Sequence, residues 1–297
     1  MNPLKVIIAD TFAGEEWLHE KYLKTFPRAQ IRNWKHPMTP SCSPHPHGGQ
    51  VASVILLSLR DTPVNLYFVR WLDADHGTPE DYILDVIEDV EPDLVHCSWG
   101  QAPQRNLGGA ITESWQPWID REAKLRARFG YWLVSSMGND DTYGLSFANH
   151  DHPWRDMDGV VCVASNDRDG VVTTWTSDGP KCVCSAVGNA RWLLNPLTGE
   201  WETGAGTSFS SPAVSGVILN LMSDGVIGRD FGQFVRWCDT HATRPDGIAV
   251  PDPKFGYGCI EHEWQVAVRS IDANRRCGVP RVDIRSIPLA WAEMMRL

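Results

Sequence analysis

The sequence lacks any long, uninterrupted run of apolar residues. No stretch of the 297-residue chain approaches the roughly 18 apolar residues that a membrane-spanning helix needs. An excess of basic residues is missing too, because 37 acidic residues outnumber 27 lysines and arginines and give a net charge of −10. We therefore expect neither a nucleic-acid partner nor binding to a membrane.

Signal-peptide features are also absent from residues 1–5, which lead directly into an apolar run. We therefore expect a cytoplasmic protein, or a secreted one if the sequence is a trimmed mature form. Eight cysteines would suggest disulfides in a short secreted chain. Here Cys162, Cys182 and Cys184 fall within apolar, strand-like runs, so we expect buried thiols that pack as small hydrophobic groups.

Apolar runs alternate with amphipathic segments along the chain. Short β-branched runs predict strands at 5–9, 64–71, 94–98, 131–136, 160–164 and 182–184, with a weaker one at 29–34. Helical spacing predicts helices at 15–26, 51–59, 80–90, 118–129, 231–241 and 261–271, and a hairpin is predicted at 193–203. This order predicts a three-layer α/β fold: a doubly wound, mostly parallel central sheet with helices on both faces.

No internal repeat, low-complexity segment or linker divides the chain. We expect one domain over residues 1–274 and a C-terminal extension, 275–297, packed on that same domain.

Ser208 follows Gly206-Thr207 and precedes Pro212 and a helix that is apolar on nearly every face. A helix of that kind belongs in a core, and its first backbone N–H groups have no intrahelical partner. This position suits a nucleophile whose reaction generates an oxyanion. An ordinary N-cap serine is the alternative on the local sequence.

Three further polar residues stand at strand ends or helix starts. Asp10 ends the first predicted strand, His47 precedes two glycines and a helix, and Asn139 follows Gly138 after another strand. Each alone is as consistent with a cap or a turn. Serine hydrolysis, however, needs a base, an acid that orients it and donors for the oxyanion, and these four residues together supply that set.

The segments around these residues resemble those of a known family. Gly206-Thr207-Ser208 with Pro212, His47-Gly48-Gly49 and the strand ending in Asp10-Thr11 are similar to the signature segments of the subtilisin-like serine proteases, the subtilases. Ser98-Trp99-Gly100 and Ser136-Met137-Gly138-Asn139 are similar to two further family segments, and the resemblance extends from about Val6 to Ile271. Gly49 and Gln50 depart from the family pattern, which usually has threonine and often histidine there.

The resemblance implies a serine endopeptidase that hydrolyses extended polypeptides through an acyl-enzyme. Ser208 would be the nucleophile, His47 the general base and then acid, and Asp10 the group that orients His47. The Asn139 side chain and the Ser208 N–H would form the oxyanion hole, and no cofactor is needed for the chemistry.

The resemblance also implies how a peptide is bound. Ser98, Trp99 and Gly100 would offer a strand edge to an extended peptide. Ser136, Met137 and Gly138 would line the pocket for the side chain before the cleaved bond. Few residues precede Asp10, so we expect no propeptide. An unidentified inhibitor or regulatory partner, a compartment or a slow activation step could then restrain activity.

Several alternatives remain open. The same acyl-enzyme could pass its acyl group to an amine, which would make the protein a peptide ligase, or the chain could be a pseudoprotease that only binds peptides. His36, Cys42, His45 and His47 invite a zinc site, although a solvated loop is the alternative. The acidic pairs Asp73/Asp75, Asp140/Asp141 and Asp167/Asp169 could hold a structural Ca²⁺, with ordinary turns as the alternative.

Overall fold

The structure is a computed structural model that describes residues 2–11, 18–26, 29–33, 45–60, 62–70, 79–98, 116–139, 157–244 and 247–260. Within these ranges the strands are β1 (Leu4–Asp10), β2 (Ala29–Asn33), β3 (Val64–Arg70), β4 (Leu94–Cys97), β5 (Trp132–Ser136), β6 (Val160–Asn166), β7 (Cys182–Val187), β8 (Arg191–Leu194) and β9 (Trp201–Gly204). The helices are α1 (Glu20–Thr25), α2 (His47–Ser58), α3 (Pro79–Val90), α4 (Gln116–Phe129), α5 (Thr207–Ser223) and α6 (Phe231–His241).

In the described part of the chain, seven strands form one sheet in the order β2-β3-β1-β4-β5-β6-β7. Every neighbouring pair is parallel, which confirms the predicted doubly wound sheet. The strand order reverses between β1 and β4, and the crevice beyond the carboxyl ends of such strands is where α/β sheets bind ligands. Asp10 ends β1 and Ser98 follows β4, so both lie at this reversal.

The sheet is buried on both faces, which explains the continuous apolar runs of its central strands. In β1, Val6 and Ile8 join one hydrophobic core and Ile7 and Ala9 the other, because successive side chains of a strand point to opposite faces. The first core contains the apolar residues of α2, α5 and α6, and the second contains those of α3 and α4. The molecule therefore has the three layers that the sequence predicts.

Helix α5 is the central helix of its layer and packs on α2 and on β4 to β7. Its side chains are buried on almost every side, as its apolar sequence predicts. Gly216 lies where α2 crosses it, because a β-carbon there would overlap the Ser58 side chain and approach the Ile55 carbonyl oxygen to 3.0 Å. This close crossing packs the middle of α5 tightly against α2.

Some predicted boundaries are wrong. Helix α2 begins at His47 rather than 51, and α1 begins at Glu20, because the His19 side chain accepts a hydrogen bond from the Lys21 N–H and caps the helix there. The predicted helix at 261–271, the extension at 275–297 and the part of the first helix within 12–17 lie outside the described residues. The hairpin is confirmed as the antiparallel pair β8–β9, and α6 has the predicted bounds.

Two predictions from composition can also be compared with the described residues. Their six cysteines are all buried, which confirms the burial predicted for positions 162, 182 and 184. None of their helices combines the length and apolarity needed to cross a bilayer.

Candidate active site

Asp10 lies at the end of β1 and is only 2% exposed. Its Oδ1 atom accepts hydrogen bonds from the Thr11 backbone N–H at 2.6 Å and from the Thr11 hydroxyl at 3.1 Å. The same oxygen lies 2.7 Å from Nδ1 of His47. The carboxylate is therefore held by its own turn and points at the imidazole.

His47 is the first residue of α2, so the helix start fixes its backbone beside Asp10. Burial on its own would lower the pKa of His47, but the negative charge of Asp10 and the hydrogen bond to it outweigh burial and raise the pKa above 6.5. Its side chain remains 25% exposed, and no described residue bonds to Nε2. That nitrogen is the one available to exchange a proton with a substrate or a nucleophile.

Ser208 is the second residue of α5, and Gly206 is its N-cap, so the N-cap alternative for Ser208 is wrong. Gly206 has a φ of +154°, in the region that favours glycine. The Ser208 hydroxyl donates to the backbone carbonyl of Ser98 at 3.1 Å. The ring of Phe209, the next residue, lies 5.6 Å from the His47 ring between centroids, so the imidazole lies beside the start of α5.

Asn139 follows β5 and is tied to the same helix start. Its Oδ1 atom accepts hydrogen bonds from the backbone N–H and from the hydroxyl of Thr207, both at 2.9 Å. Its Nδ2 atom lies 3.6 Å from the place of a β-carbon on Gly206, next to Ser208. The Thr207 hydroxyl also accepts from the Gly138 N–H at 3.2 Å. Thr207 therefore orients the amide, a role that the sequence analysis missed although Thr207 precedes the serine.

The residues expected to bind substrate are described only in part. Trp99 and Gly100 lie outside the described residues, whereas Ser98 is 4% exposed and its hydroxyl donates to the Ser208 carbonyl at 3.0 Å. Ser136 is buried, and Met137 packs its side chain into the core on the α3–α4 face. A pocket lined by residues 136–138 would therefore use backbone rather than the Met137 side chain, and it stays a prediction.

The described residues contain no cluster of three histidine, cysteine or acidic side chains arranged to hold a metal ion. Asp167 Oδ1 accepts from the backbone N–H groups of Asp169 and Val171, both at 2.9 Å, so this carboxylate closes a turn. His45, one member of the zinc alternative, has Nδ1 3.0 Å from the Thr11 hydroxyl. The other acidic pairs, with His36 and Cys42, lie outside the described residues.

The structure thus brings four of the sequence-predicted residues to one rim of the sheet. An imidazole paired with a buried carboxylate lies beside a helix N-terminus that carries a serine hydroxyl and an amide side chain. This fold and this set of groups are those of an α/β serine peptidase.

A sequence model described as the Subtilase family matches residues 4–229. The match spans most of the chain, and the protein belongs to the subtilase family of serine peptidases. No curated protein sequence matches the chain.

Solved structures share the fold at low sequence identity. A lanthipeptide protease superposes with a TM-score of 0.65 at 19% identity, over 89% of this chain and 87% of that one. The prenylagaramide maturation protease PagA gives 0.63 at 19% identity, over 91% and 92%. The PatG macrocyclase in complex with peptide gives 0.63 at 14% identity, over 92% of each chain. At these identities the likeness shows the fold alone.

Proposed function

We propose that this protein is a serine endopeptidase that cleaves extended polypeptides through an acyl-enzyme. The observation that carries the proposal is the 2.7 Å contact between His47 Nδ1 and Asp10 Oδ1, with the imidazole beside the helix start that bears Ser208. A carboxylate so placed keeps a hydrogen on Nδ1 and leaves Nε2 as the proton acceptor.

Acylation begins when the Ser208 hydroxyl leaves the Ser98 carbonyl and donates to His47 Nε2. The Ser208 oxygen then attacks the peptide carbonyl carbon while its proton passes to His47, and Asp10 stabilises the imidazolium that forms. His47 returns this proton to the leaving amine as the C–N bond breaks. Water then attacks the acyl-enzyme by the same steps, which releases the acid product and restores the Ser208 hydroxyl.

The oxyanion of each tetrahedral intermediate would be stabilised by the Asn139 amide and the Ser208 backbone N–H. Both of these donors lie at the N-terminus of α5, where the helix dipole also favours negative charge. Because Thr207 fixes the Asn139 oxygen through two hydrogen bonds, the amide NH₂ is oriented before the substrate arrives. Little reorganisation is then needed as charge develops.

The substrate class we propose is peptide, with recognition by strand pairing after Ser98. The similar structures support this choice, since two of them are a lanthipeptide protease and a maturation protease, and a third holds a peptide. Pairing through backbone hydrogen bonds recognises any extended segment and leaves side-chain preference to the pocket.

Ligation is the second candidate function. Its supporting observation is the shared fold with the PatG macrocyclase over 92% of both chains. Chemically, a ligase differs only in the second step, in which an amine rather than water attacks the acyl-enzyme. A pseudoprotease would bind the same peptides and leave the acyl-enzyme unformed.

The test is cleavage of a mixed peptide library, with and without an added peptide amine, read by mass spectrometry. We expect hydrolysis products from the native protein and none from Ser208→Ala. Ser210→Ala is the matched control, because it removes a neighbouring hydroxyl whose one partner among the described residues is the Thr207 carbonyl. Amine-capped products would establish ligation, and binding without turnover would establish a pseudoprotease.

A further inference from the structure

The core beneath the candidate site contains a histidine that the proposed mechanism does not use. His96 lies on β4, two residues before Ser98, and is 0% exposed. Its Nδ1 atom lies 2.8 Å from the Ser215 hydroxyl, and its Nε2 atom lies 2.7 Å from the Ser98 hydroxyl. The ring therefore connects β4 to the middle of α5 and, through Ser98, to the helix start.

His96 is neutral at physiological pH. Burial lowers its pKa to about 3, and the partly opposing charge of Asp10 does not offset the burial. A neutral imidazole has one donor and one acceptor nitrogen. One of the two hydroxyl partners must therefore donate to the ring, and the other must accept from it.

The hydrogen on the Ser98 hydroxyl decides which nitrogen is the donor. This hydroxyl has a single hydrogen and three polar neighbours. The Ser208 carbonyl, 3.0 Å away, can only accept, so it receives that hydrogen, and the Ser211 hydroxyl, 3.2 Å away, donates to one lone pair of Ser98 Oγ. His96 Nε2 must then donate to the Ser98 oxygen, and Nδ1 accepts from Ser215. The resulting chain of hydrogen bonds runs in one direction, from the Ser215 hydroxyl through His96 and Ser98 to the Ser208 carbonyl.

The Ser208 carbonyl needs an external donor because of Pro212. In an α-helix the carbonyl of residue 208 would accept the N–H of residue 212, but proline has none. A partly buried carbonyl without its donor carries a cost, and the Ser98 hydroxyl supplies the missing hydrogen. Ser208 in turn donates its own hydroxyl to the Ser98 carbonyl at 3.1 Å, so the two serines hold each other.

We propose that His96 is a positioning residue for the nucleophile. By donating to Ser98 Oγ, it directs the Ser98 hydrogen to the Ser208 carbonyl and so fixes the backbone that carries the Ser208 hydroxyl and N–H. The inference rests on the proposed function, because it assigns His96 a part in the reactivity of Ser208.

The experiment measures how fast phenylmethylsulfonyl fluoride labels Ser208, by mass spectrometry of the folded full-length chain. His96→Leu removes both ring nitrogens, whereas His96→Gln places an amide nitrogen near the Nε2 position. Thr62→Val is the control, because it removes a buried hydroxyl bonded to Asn220, far along α5 from Ser208.

We expect His96→Leu to label roughly tenfold more slowly, since small displacements of a reacting group carry large rate costs. His96→Gln should recover most of the rate, and Thr62→Val should label at the native rate although it unfolds at a lower urea concentration. With casein as substrate, His96→Leu should lower kcat and leave KM nearly unchanged.

A double-mutant cycle separates positioning from general loosening. In a Ser98→Ala background, His96→Leu should have no further effect on labelling, because its influence passes through the Ser98 hydroxyl. If His96→Leu does not fold, Ser215→Ala takes its place. That change removes the donor to Nδ1 and should give a smaller slowing that is likewise absent from the Ser98→Ala background.

Two results would overturn the inference while leaving the proposed function standing. The first is native labelling of Ser208 together with an unchanged rate in His96→Leu or, in its place, Ser215→Ala. The second is an equal slowing in Thr62→Val, or a slowing by His96→Leu that persists in full when it is added to Ser98→Ala. Native protein that stays unlabelled at Ser208 would instead refute the proposed function, and the inference with it.

Discussion

Two opposing effects act on the pKa of His47. Burial favours the neutral ring, while the Asp10 charge and hydrogen bond favour the cation and prevail, which raises the pKa above 6.5. A general base must be neutral to accept a proton, so in the proposed mechanism Asp10 would set the lower pH limit of activity. The same pairing would stabilise the imidazolium that forms in the proposed reaction.

The first prediction concerns that pH limit. The rise of kcat/KM with pH should have its midpoint above 6.5, because His47 must lose its proton to act as the base. Asp10→Asn should move the midpoint down, since it removes both influences that raise the pKa, and should lower kcat by about 10⁴-fold, as in other serine proteases. The measurement is a pH profile of peptide cleavage for both proteins. A midpoint unmoved by Asp10→Asn would show that another group titrates.

The second prediction concerns Thr207, which holds the oxygen of the Asn139 amide. Thr207→Val keeps the shape and the backbone N–H bond but loses the hydroxyl bond to Asn139 and the acceptor for Gly138. We expect kcat to fall about tenfold, less than the 10²–10³-fold typical when an oxyanion donor itself is removed, as in subtilisin. Thr207→Ser retains the hydroxyl and should stay near the native rate. Equal rates for the valine and serine variants would exclude this orienting role.

At the scale of elements, α2 is positioned by its contact with the β8–β9 hairpin. A β-carbon on Gly49 would overlap the ring of Pro196 in the turn of that hairpin. Next along the helix, the Gln50 amide bonds to Glu202 of β9. Gly49 and Gln50, two of the residues at which this chain departs from the family pattern, thus both face the hairpin. Glycine allows the close approach that sets the direction of α2, and His47 begins that helix.

The third prediction tests this contact. Gly49→Ala should lower the free energy of unfolding by about 1–3 kcal/mol, the usual cost of overpacking. Pro196→Gly removes the overlapping ring, so the double variant should lose less stability than the two single changes added together. Urea unfolding of the native chain and the three variants provides the comparison. On helix propensity alone, Gly49→Ala would raise the free energy of unfolding by about 1 kcal/mol. An increase of that size would contradict the predicted clash with Pro196.

The start of α2 also shows why some boundaries escape the sequence. His47, Gly48 and Gly49 are poor helix formers, and local propensity therefore places the helix start near residue 51. Tertiary packing decides otherwise, because Gly48 and Gly49 are buried in the closely packed first turn. In contrast, α6 has helical spacing and an Asp230 N-cap in its own sequence, and its bounds could be predicted.

For the molecule as a whole, most of the architecture could be predicted. Continuous β-branched runs separated by amphipathic segments specify a parallel sheet, and the carboxyl ends of its strands bring Asp10 and Asn139 to one rim. The structural roles of His96, Thr207 and Pro196 could not be predicted. Each depends on a contact between elements distant in the chain, and no local pattern distinguishes a buried histidine that positions a neighbour from one that only fills the core.

The central proposal is that Asp10, His47 and Ser208 act as one chemical unit. When catalytic groups act together, the effects of removing them do not add, because removing one group already removes what the others contribute. The most direct measurement is kcat for peptide cleavage by Ser208→Ala, His47→Ala and the double variant. We expect each single change to lower kcat on the order of 10⁶-fold and the double change to lower it no further. A single variant that keeps more than about a tenth of the native kcat, or a double variant far slower than either single one, would contradict the proposal.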